Sequence, residues 1–582
     1  MLDQLTKRAA SDVYGRGQVT SFETTPAGME VDTSRTWWNG ETEAVWMDGL
    51  LRMACLTGND AARAKVDAYM RHILDTQTEE GYIGIYQPGC RYRHPKENGE
   101  LWTQSRIFVA MLAYYEATGK PEVLQAVEKA VRLTMSQYGP GRSYFQNPEP
   151  AGGVGHGLMF VDVLEWLHRL TGDRAYVDFA RFCYEDYNLS RKLRDKDNQL
   201  DHLLDIRAPF LWHTPHTMEH LRVPLWLYFV TGNPRIGQAA RNGFTKTRRH
   251  LTPSGACIGD ECIEGRKPDP NLPYEYCAMT ELLISAQSAL AKTGDSGFAR
   301  MAENVALNAA QGARLPDGKA ISYLTRDNRY RATHQGALGR FGYSPTHEQA
   351  AVCCNPNAGK LMPYYVSRMW MRQDEPEEGL VAVLYGPGSV TTRINGISVR
   401  IDEETHYPFS EEIRFTLHPE QEVAFPIIFR DPRWSRQTQT VAEGAAIQRD
   451  GDYCVVRKRW QAGDKVTLTF RAEIFPVRAI NGETALRRGP LLYALPIPHE
   501  RRTLRTYPVA GFADYDMLPS VTMVPRPRNP ATIVRCRKHR LSGDTGSHRP
   551  VNRRTSASYS TATRMRTCSI RGIARPSDWT AC

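Results

Sequence analysis

No apolar run in the 582 residues approaches the eighteen or so that a membrane-spanning helix requires, so no membrane partner is expected. The start, Met1-Leu2-Asp3-Gln4-Leu5-Thr6-Lys7-Arg8, lacks the apolar core of a secretory signal, which makes the cytoplasm the expected compartment. The twelve cysteines follow no spacing of a secreted disulfide framework. An excess of charge is missing from the body as well. The net charge is +10, but from Arg526 to the end there are 13 Lys and Arg against two acids, Asp544 and Asp578. That stretch carries +11 and leaves −1 for everything before it, so the basic balance gives no reason to expect nucleic acid as a partner.

The stretch 526–582 also lacks glutamate and apolar periodicity. It reads either as a basic disordered arm or as non-native sequence after a reading-frame shift near residue 526; the second reading is preferred, and no function is assigned to it. A protease would then be expected to trim the chain near 526. Of the remaining cysteines, Cys55, Cys90, Cys183 and Cys454 read as ordinary buried residues.

The chain is too long for one core. Its first half is punctuated by Thr57-Gly58, Thr118-Gly119, Thr171-Gly172, Thr231-Gly232 and Thr293-Gly294, whose threonines lie 61, 53, 60 and 62 residues apart. Each follows an amphipathic run and precedes Asp, Asn or Pro, the signature of a helix that ends on glycine before the next begins. A period near 60 describes helical hairpins. With a further helix around Lys360–Met371, six hairpins are expected, a mainly α architecture in the form of an (α/α)6 barrel over 1–375. After about Gln373 short alternating segments such as Leu380–Tyr385, Ser398–Ile401, Ile413–Leu417 and Lys465–Phe470 take over, which predicts a β-sandwich over 376–525.

Candidate chemistry gathers in three places. Cys353 and Cys354 are adjacent, and Glu275 and Cys277 precede them by 78 and 76 residues. Vicinal cysteines in a reduced compartment suit thiolates better than a disulfide, and three sulfurs with a carboxylate match a zinc donor set, although a structural zinc staple or plain buried cysteines would look the same. Asp260, Glu261 and Glu264 sit in a proline-rich loop, where one acid could exchange protons. His213, His216 and His220 lie beside Trp212; with Trp102, Tyr323, Trp37, Trp38, Glu41, Glu43 and Trp46 they offer the aromatic and polar surface of a carbohydrate cleft.

Glu275-x-Cys277, Cys353-Cys354-Asn355-Pro356-Asn357, the Gly259-Asp260-Glu261 loop and the Thr-Gly hairpins together resemble the zinc-dependent β-L-arabinofuranosidases of glycoside hydrolase family 127. Phe425–Trp434 and Leu486–Ala494 resemble that family's sandwich motifs, and the likeness runs over roughly residues 35–500. It implies a retaining exo-glycosidase with Cys353 as nucleophile, Zn2+ held by Glu275, Cys277, Cys353 and Cys354, Glu261 as acid/base, and His213, His216, Tyr323 and Trp102 around the sugar. The expected partner is an oligosaccharide or glycoside, with β-L-arabinofuranose or a related plant-polysaccharide residue released; a homodimer is compatible with it. Two departures line the presumed sugar pocket: Ser105-Arg106 stands where His-Lys is common, and Asp260-Glu261-Cys262 where Gly-Glu and an aromatic are. A sugar epimerase or polysaccharide lyase with a His213, His216 or Tyr323 base would keep the barrel but tolerate Cys353→Ser. A carbohydrate-binding protein would tolerate Glu261→Gln.

Overall fold

The computed structural model describes residues 33–520 except 87, 94–97, 147–151, 336–338 and 348–352. The basic tail, the 525 boundary and the Glu348–Val352 stretch before the cysteine pair lie outside the described residues, as do the side chains of Trp37 and Trp38. Twelve helices position the site: α1 Thr33–Thr57, α2 Asp60–Asp75, α3 Glu100–Thr118, α4 Pro121–Gln137, α5 Phe160–Thr171, α6 Ala175–Leu189, α7 Thr214–His220, α8 Arg222–Thr231, α9 Pro234–Arg248, α10 Tyr276–Thr293, α11 Ser296–Asn304 and α12 Cys354–Ser367.

The Thr-Gly mark works through three linked bonds. At α5 the Thr171 hydroxyl donates back to Leu167 O at 2.8 Å, Gly172 takes the left-handed conformation at φ 75°, and Asp173 N donates forward to Thr171 Oγ1. Asp173 Oδ1 then accepts from Ala175 N at the start of α6. The same arrangement closes α8 and opens α9, and closes α10 and opens α11. One tetrapeptide thus ends an inner helix and starts an outer one.

Inner helices α1, α3, α5, α8, α10 and α12 contact one another in sequence, and α12 closes the ring on α1. Burial separates the two layers. Every residue of α3 from Glu100 to Tyr114 is buried, whereas α4 buries one stripe, Val123, Ala126, Val127, Ala130, Val131 and Thr134. This is the (α/α)6 barrel that the repeat predicts. The sixth unit is only an inner helix: α12 starts at Cys354, earlier than the expected Lys360, and the chain passes from Ser367 directly into a strand. Ion pairs fill the barrel axis, with Arg222 on Asp162 and Glu281, Lys360 on Glu281, and Arg52 on Asp48. No helix among the described residues is long and apolar enough to cross a membrane.

Ten strands follow: β1 Trp370–Gln373, β2 Gly379–Ala382, β3 Gly388–Ile394, β4 Ile397–Thr405, β5 Glu412–Pro419, β6 Val423–Arg430, β7 Gln439–Val441, β8 Ala446–Asp450, β9 Tyr453–Trp460 and β10 Lys465–Thr469. They form two five-stranded sheets, β8-β9-β6-β2-β1 and β7-β10-β5-β4-β3, with β6 parallel to β2 and the other pairs antiparallel. Inward residues Ile413, Phe415 and Leu417 alternate with exposed or half-exposed ones, as a two-layer core requires. At the junction Arg430 donates to Glu303 Oε1 at 2.7 Å, and the Tyr407 hydroxyl donates to the same oxygen at 2.5 Å.

The sandwich sheets therefore hold Trp370–Thr469, a different span from the expected 376–525. Ile474–Leu492 forms a separate three-stranded sheet. The hairpin His499–Thr506/Ala513–Pro519 turns back to pair through Tyr515 with Tyr343 of the strand Tyr343–Ser344, which in turn pairs with Ile321–Ser322. Period-two alternation marks a strand but does not say which sheet it joins.

Candidate active site

Two helix starts meet at one point. Glu275 is the N-cap of α10 with Cys277 in its first turn, and Cys353 is the N-cap of α12 with Cys354 following. The helices are tied side by side by Thr280 Oγ1 donating to Asn357 O and Gln287 Nε2 donating to Tyr364 O. The positive ends of both helices therefore face the sulfurs, an environment that favours thiolate.

Ligand atoms of Glu275, Cys277, Cys353 and Cys354 all lie within 4.8 Å of one another. Cys277 Sγ is 3.1 Å from Cys354 Sγ, which in turn is 3.4 Å from Glu275 Oε1; Cys353 Sγ is 3.8 Å from that oxygen. Backbone N–H of Cys277 donates to Cys354 Sγ, and Asn357 Nδ2 donates to Cys277 Sγ. Glu275 is fully buried, and its Oε2 accepts no hydrogen bond from the described residues. A buried carboxylate oxygen without a donor among three sulfurs is what a metal cluster presents, and the residues fit one. Hydrogen bonds from Cys277 and Cys354 hold the Cys353 thiol well below its ordinary range, while burial pushes Cys277 and Cys354 up. The Tyr323 hydroxyl stands 3.3 Å from Cys353 Sγ. It is fixed there because Leu324–Thr325 pairs with Tyr274–Glu275 and Tyr276 N donates to Tyr323 O.

The loop acid is placed by a second ladder. Thr214 N donates to Glu261 O at 2.7 Å and Ile263 N to Trp212 O at 3.0 Å, which lays the His213 segment against the Glu261 loop. Gly259 permits this approach, since a Cβ there would fall 1.9 Å from Thr214 Oγ1. Glu261 itself adopts φ 96°, a strained backbone for a residue with a side chain, and turns inward. Asp260 and Glu264 instead pair with Arg266 toward solvent. Of the three loop acids, Glu261 is thus the one in the cleft.

His213 Nε2 lies 3.3 Å from Glu261 Oε2 and 3.7 Å from Glu275 Oε2. Burial opposes its charge, but the bond to Glu261 and the carboxylate of Glu275 outweigh that and push it up to about 10. Arg340 holds the other oxygen of Glu261. Burial would raise Glu261, yet His213 and Arg340 keep it down to about 2.

His216 donates or accepts at Glu219 Oε1, 2.5 Å away, and its ring stacks on His156 with centroids 3.3 Å apart. Trp102 stands edge-on to His216 at 5.2 Å and donates its indole N–H to Glu41 Oε2 at 3.0 Å. His220 packs on Tyr187 and on His216, with ring centroids 5.8 Å and 5.9 Å away, and makes no ring-nitrogen hydrogen bond among the described residues. Trp46 packs on Tyr69, away from this cleft. The nine residues that the family resemblance implies for the site, Cys353, Cys354, Cys277, Glu275, Glu261, His213, His216, Tyr323 and Trp102, lie around this one cleft. Sequence reasoning missed His156, Asp195, Arg340 and the part played by Glu41. Asp195 pairs with His156 Nε2 at 3.3 Å, which orients that imidazole, and accepts from the backbone N–H of His213 at 3.3 Å, which holds the His213 segment in place. The run Gly152-Gly153-Val154-Gly155-His156-Gly157 was the available signal, a histidine in a backbone free to approach its neighbours.

Comparison with known proteins settles the family. The model for the β-L-arabinofuranosidase GH127 catalytic domain matches residues 2–367, and that for the GH127 middle domain matches 379–472. The chain belongs to glycoside hydrolase family 127. It is therefore read as a glycoside hydrolase, and the middle-domain match falls on the two sandwich sheets. A non-reducing end β-L-arabinofuranosidase of Bifidobacterium longum is 20% identical over 491 residues, covering 74% of this chain and 71% of its own length. The crystal structure of a GH127 β-L-arabinofuranosidase from Geobacillus stearothermophilus T6 superposes with a TM-score of 0.65 at 20% identity, covering 78% and 76% of the two chains. Another GH127 β-arabinofuranosidase gives 0.62 at 15% identity, over 89% and 88%. These structures share the GH127 fold of this chain.

Proposed function

We propose that this GH127 chain releases a terminal β-L-arabinofuranose, or a related plant-polysaccharide residue, with retention of configuration through Cys353. The observation that carries the proposal is the Cys353 sulfur at the start of α12, flanked by Cys277, Cys354 and Glu275 and faced by the Glu261–His213 pair. Zn2+ held by Glu275, Cys277, Cys353 and Cys354 would supply the positive charge that keeps these thiols deprotonated.

Cys353 Sγ attacks the anomeric carbon, so a C–S bond forms as the glycosidic C–O bond breaks. At neutral pH the proton of the Glu261–His213 pair sits on His213, and it moves through Glu261 to the departing oxygen as the C–O bond breaks. In the second half Glu261, again a carboxylate, takes a proton from water. The oxygen of that water bonds the anomeric carbon, the C–S bond breaks, and the sulfur leaves as thiolate. Tyr323 beside the sulfur steadies its negative charge. His216, His156 and Trp102 provide the polar and aromatic wall for the sugar. Thiols poised in this way suit a reducing compartment, in keeping with a cytoplasmic enzyme.

The test is metal content beside hydrolysis of an aryl β-L-arabinofuranoside. Wild type should carry about one zinc per chain and hydrolyse the glycoside. Cys277→Ser should lose metal, and Cys353→Ser should lose turnover by at least about a thousandfold. Full hydrolysis by Cys353→Ser would remove Cys353 as the nucleophile, whereas a wild type that carries zinc but hydrolyses no glycoside would favour an epimerase or lyase on the same barrel.

A further inference from the structure

In the cleft Glu261, Glu275 and the sulfurs accept, the His213 proton and Nη1 of Arg340 are engaged by Glu261, and the Tyr323 hydroxyl stands at Cys353. A glycoside presents hydroxyls that can donate to such a surface, but its ring and glycosidic oxygens can only accept. Glu41, on α1, is 5% exposed, and Trp102 Nε1 donates to its Oε2 at 3.0 Å. The structure gives Oε1 no hydrogen bond from the described residues. Trp102 itself reaches the histidine wall, with ring centroids 5.2 Å from His216 and 5.5 Å from His156, and the Arg106 guanidinium caps it at 4.5 Å.

We propose that Glu41 is a sugar-binding residue of this cleft: anchored by Trp102 through one oxygen, it presents the other as an O–H donor to an acceptor oxygen of the glycoside. Burial first, and then the charge of Cys353, raise its carboxyl to about 8, against the opposing pull of Trp102, His213 and Arg106. Burial thus favours the protonated form of the group, which can donate. The inference rests on the reading of this cleft as a glycoside site.

The experiment uses the full chain loaded with zinc and an aryl β-L-arabinofuranoside. Glu41→Gln keeps an acceptor for Trp102 and an N–H donor for the sugar, so KM should stay within about threefold. Glu41→Leu keeps the volume and loses the donor, so KM should rise about tenfold or more while kcat changes much less. Zinc content and thermal midpoint identify variants that are folded. An unchanged KM in folded Glu41→Leu would overturn the proposal. If wild type hydrolyses no arabinofuranoside, the reading of the substrate fails instead. The same variants are then compared for binding of free L-arabinose and other pentoses by calorimetry, where equal affinity of wild type and Glu41→Leu would again overturn the role of Glu41.

Discussion

Glu261 stands between two cations, and that position governs when it can work. A carboxyl held down to about 2 stays charged until the pH falls to that value. Arg340 supplies part of this depression, so Arg340→Met should move the carboxyl up toward its ordinary range near 4.5. Charge would then be lost at a higher pH as acid is added, and the acid limb of the pH profile of kcat should shift upward. An acid limb that stays in place would mean Arg340 does not control this carboxylate. At the residue scale the sulfur cluster was legible because adjacent cysteines are rare and Glu-x-Cys stands beside a helix start. Glu41, Asp195 and Arg340 were not, because each acquires its partner across a long stretch of chain: Trp102 follows Glu41 by 61 residues, and Arg340 follows Glu261 by 79.

The helical hairpins were readable as elements because one local device repeats, and each part of it has its own bond. Gly172 gives a clean measure of its worth. It sits at φ 75°, and a Cβ there would meet nothing within 4 Å, so Gly172→Ala changes backbone energy alone. The substitution should cost about 1 kcal/mol, and Gly172→Asn less, read as a shift in the urea midpoint with an unchanged slope. No loss in Gly172→Ala would mean that the hairpin does not depend on its left-handed residue. Strand destinations were less readable. Leu486-Arg487-Arg488 alternates like a sandwich strand, yet Arg487 donates to Pro253 O and its strand lies against the barrel. Pairing across more than two hundred positions leaves no mark on local periodicity.

At the scale of the whole molecule Arg430 and Tyr407 of the sandwich reach Glu303 of the barrel, and a buried carboxyl on the sandwich side of the same seam makes stability depend on pH. Glu403 of β4 is 3% exposed; its two oxygens accept from Trp370 Nε1 at 3.1 Å and Gly386 N at 3.0 Å, and it borders a cavity of about 620 Å³ between the sandwich and the far end of the barrel. Burial raises its carboxyl to about 8, and the two donors offset only part of that. In the unfolded chain the group titrates near 4.5. Between these values the folded state holds a proton that the unfolded state has released. Its contribution to stability is therefore fully present below about pH 4.5, declines as the pH rises, and is gone above about 8. Within that window the slope from one such group approaches about 1.4 kcal/mol per pH unit. Glu41 and Glu100, raised to about 8 and about 7, act in the same direction, so the wild-type curve is a composite. Glu403→Gln isolates one component, because the amide keeps the acceptor and does not titrate. The difference in unfolding free energy between wild type and Glu403→Gln, measured by denaturant titration from pH 5 to 8, should move steadily in favour of the variant as the pH rises. A difference that stays flat over that range would show that the seam holds Glu403 as a carboxylate.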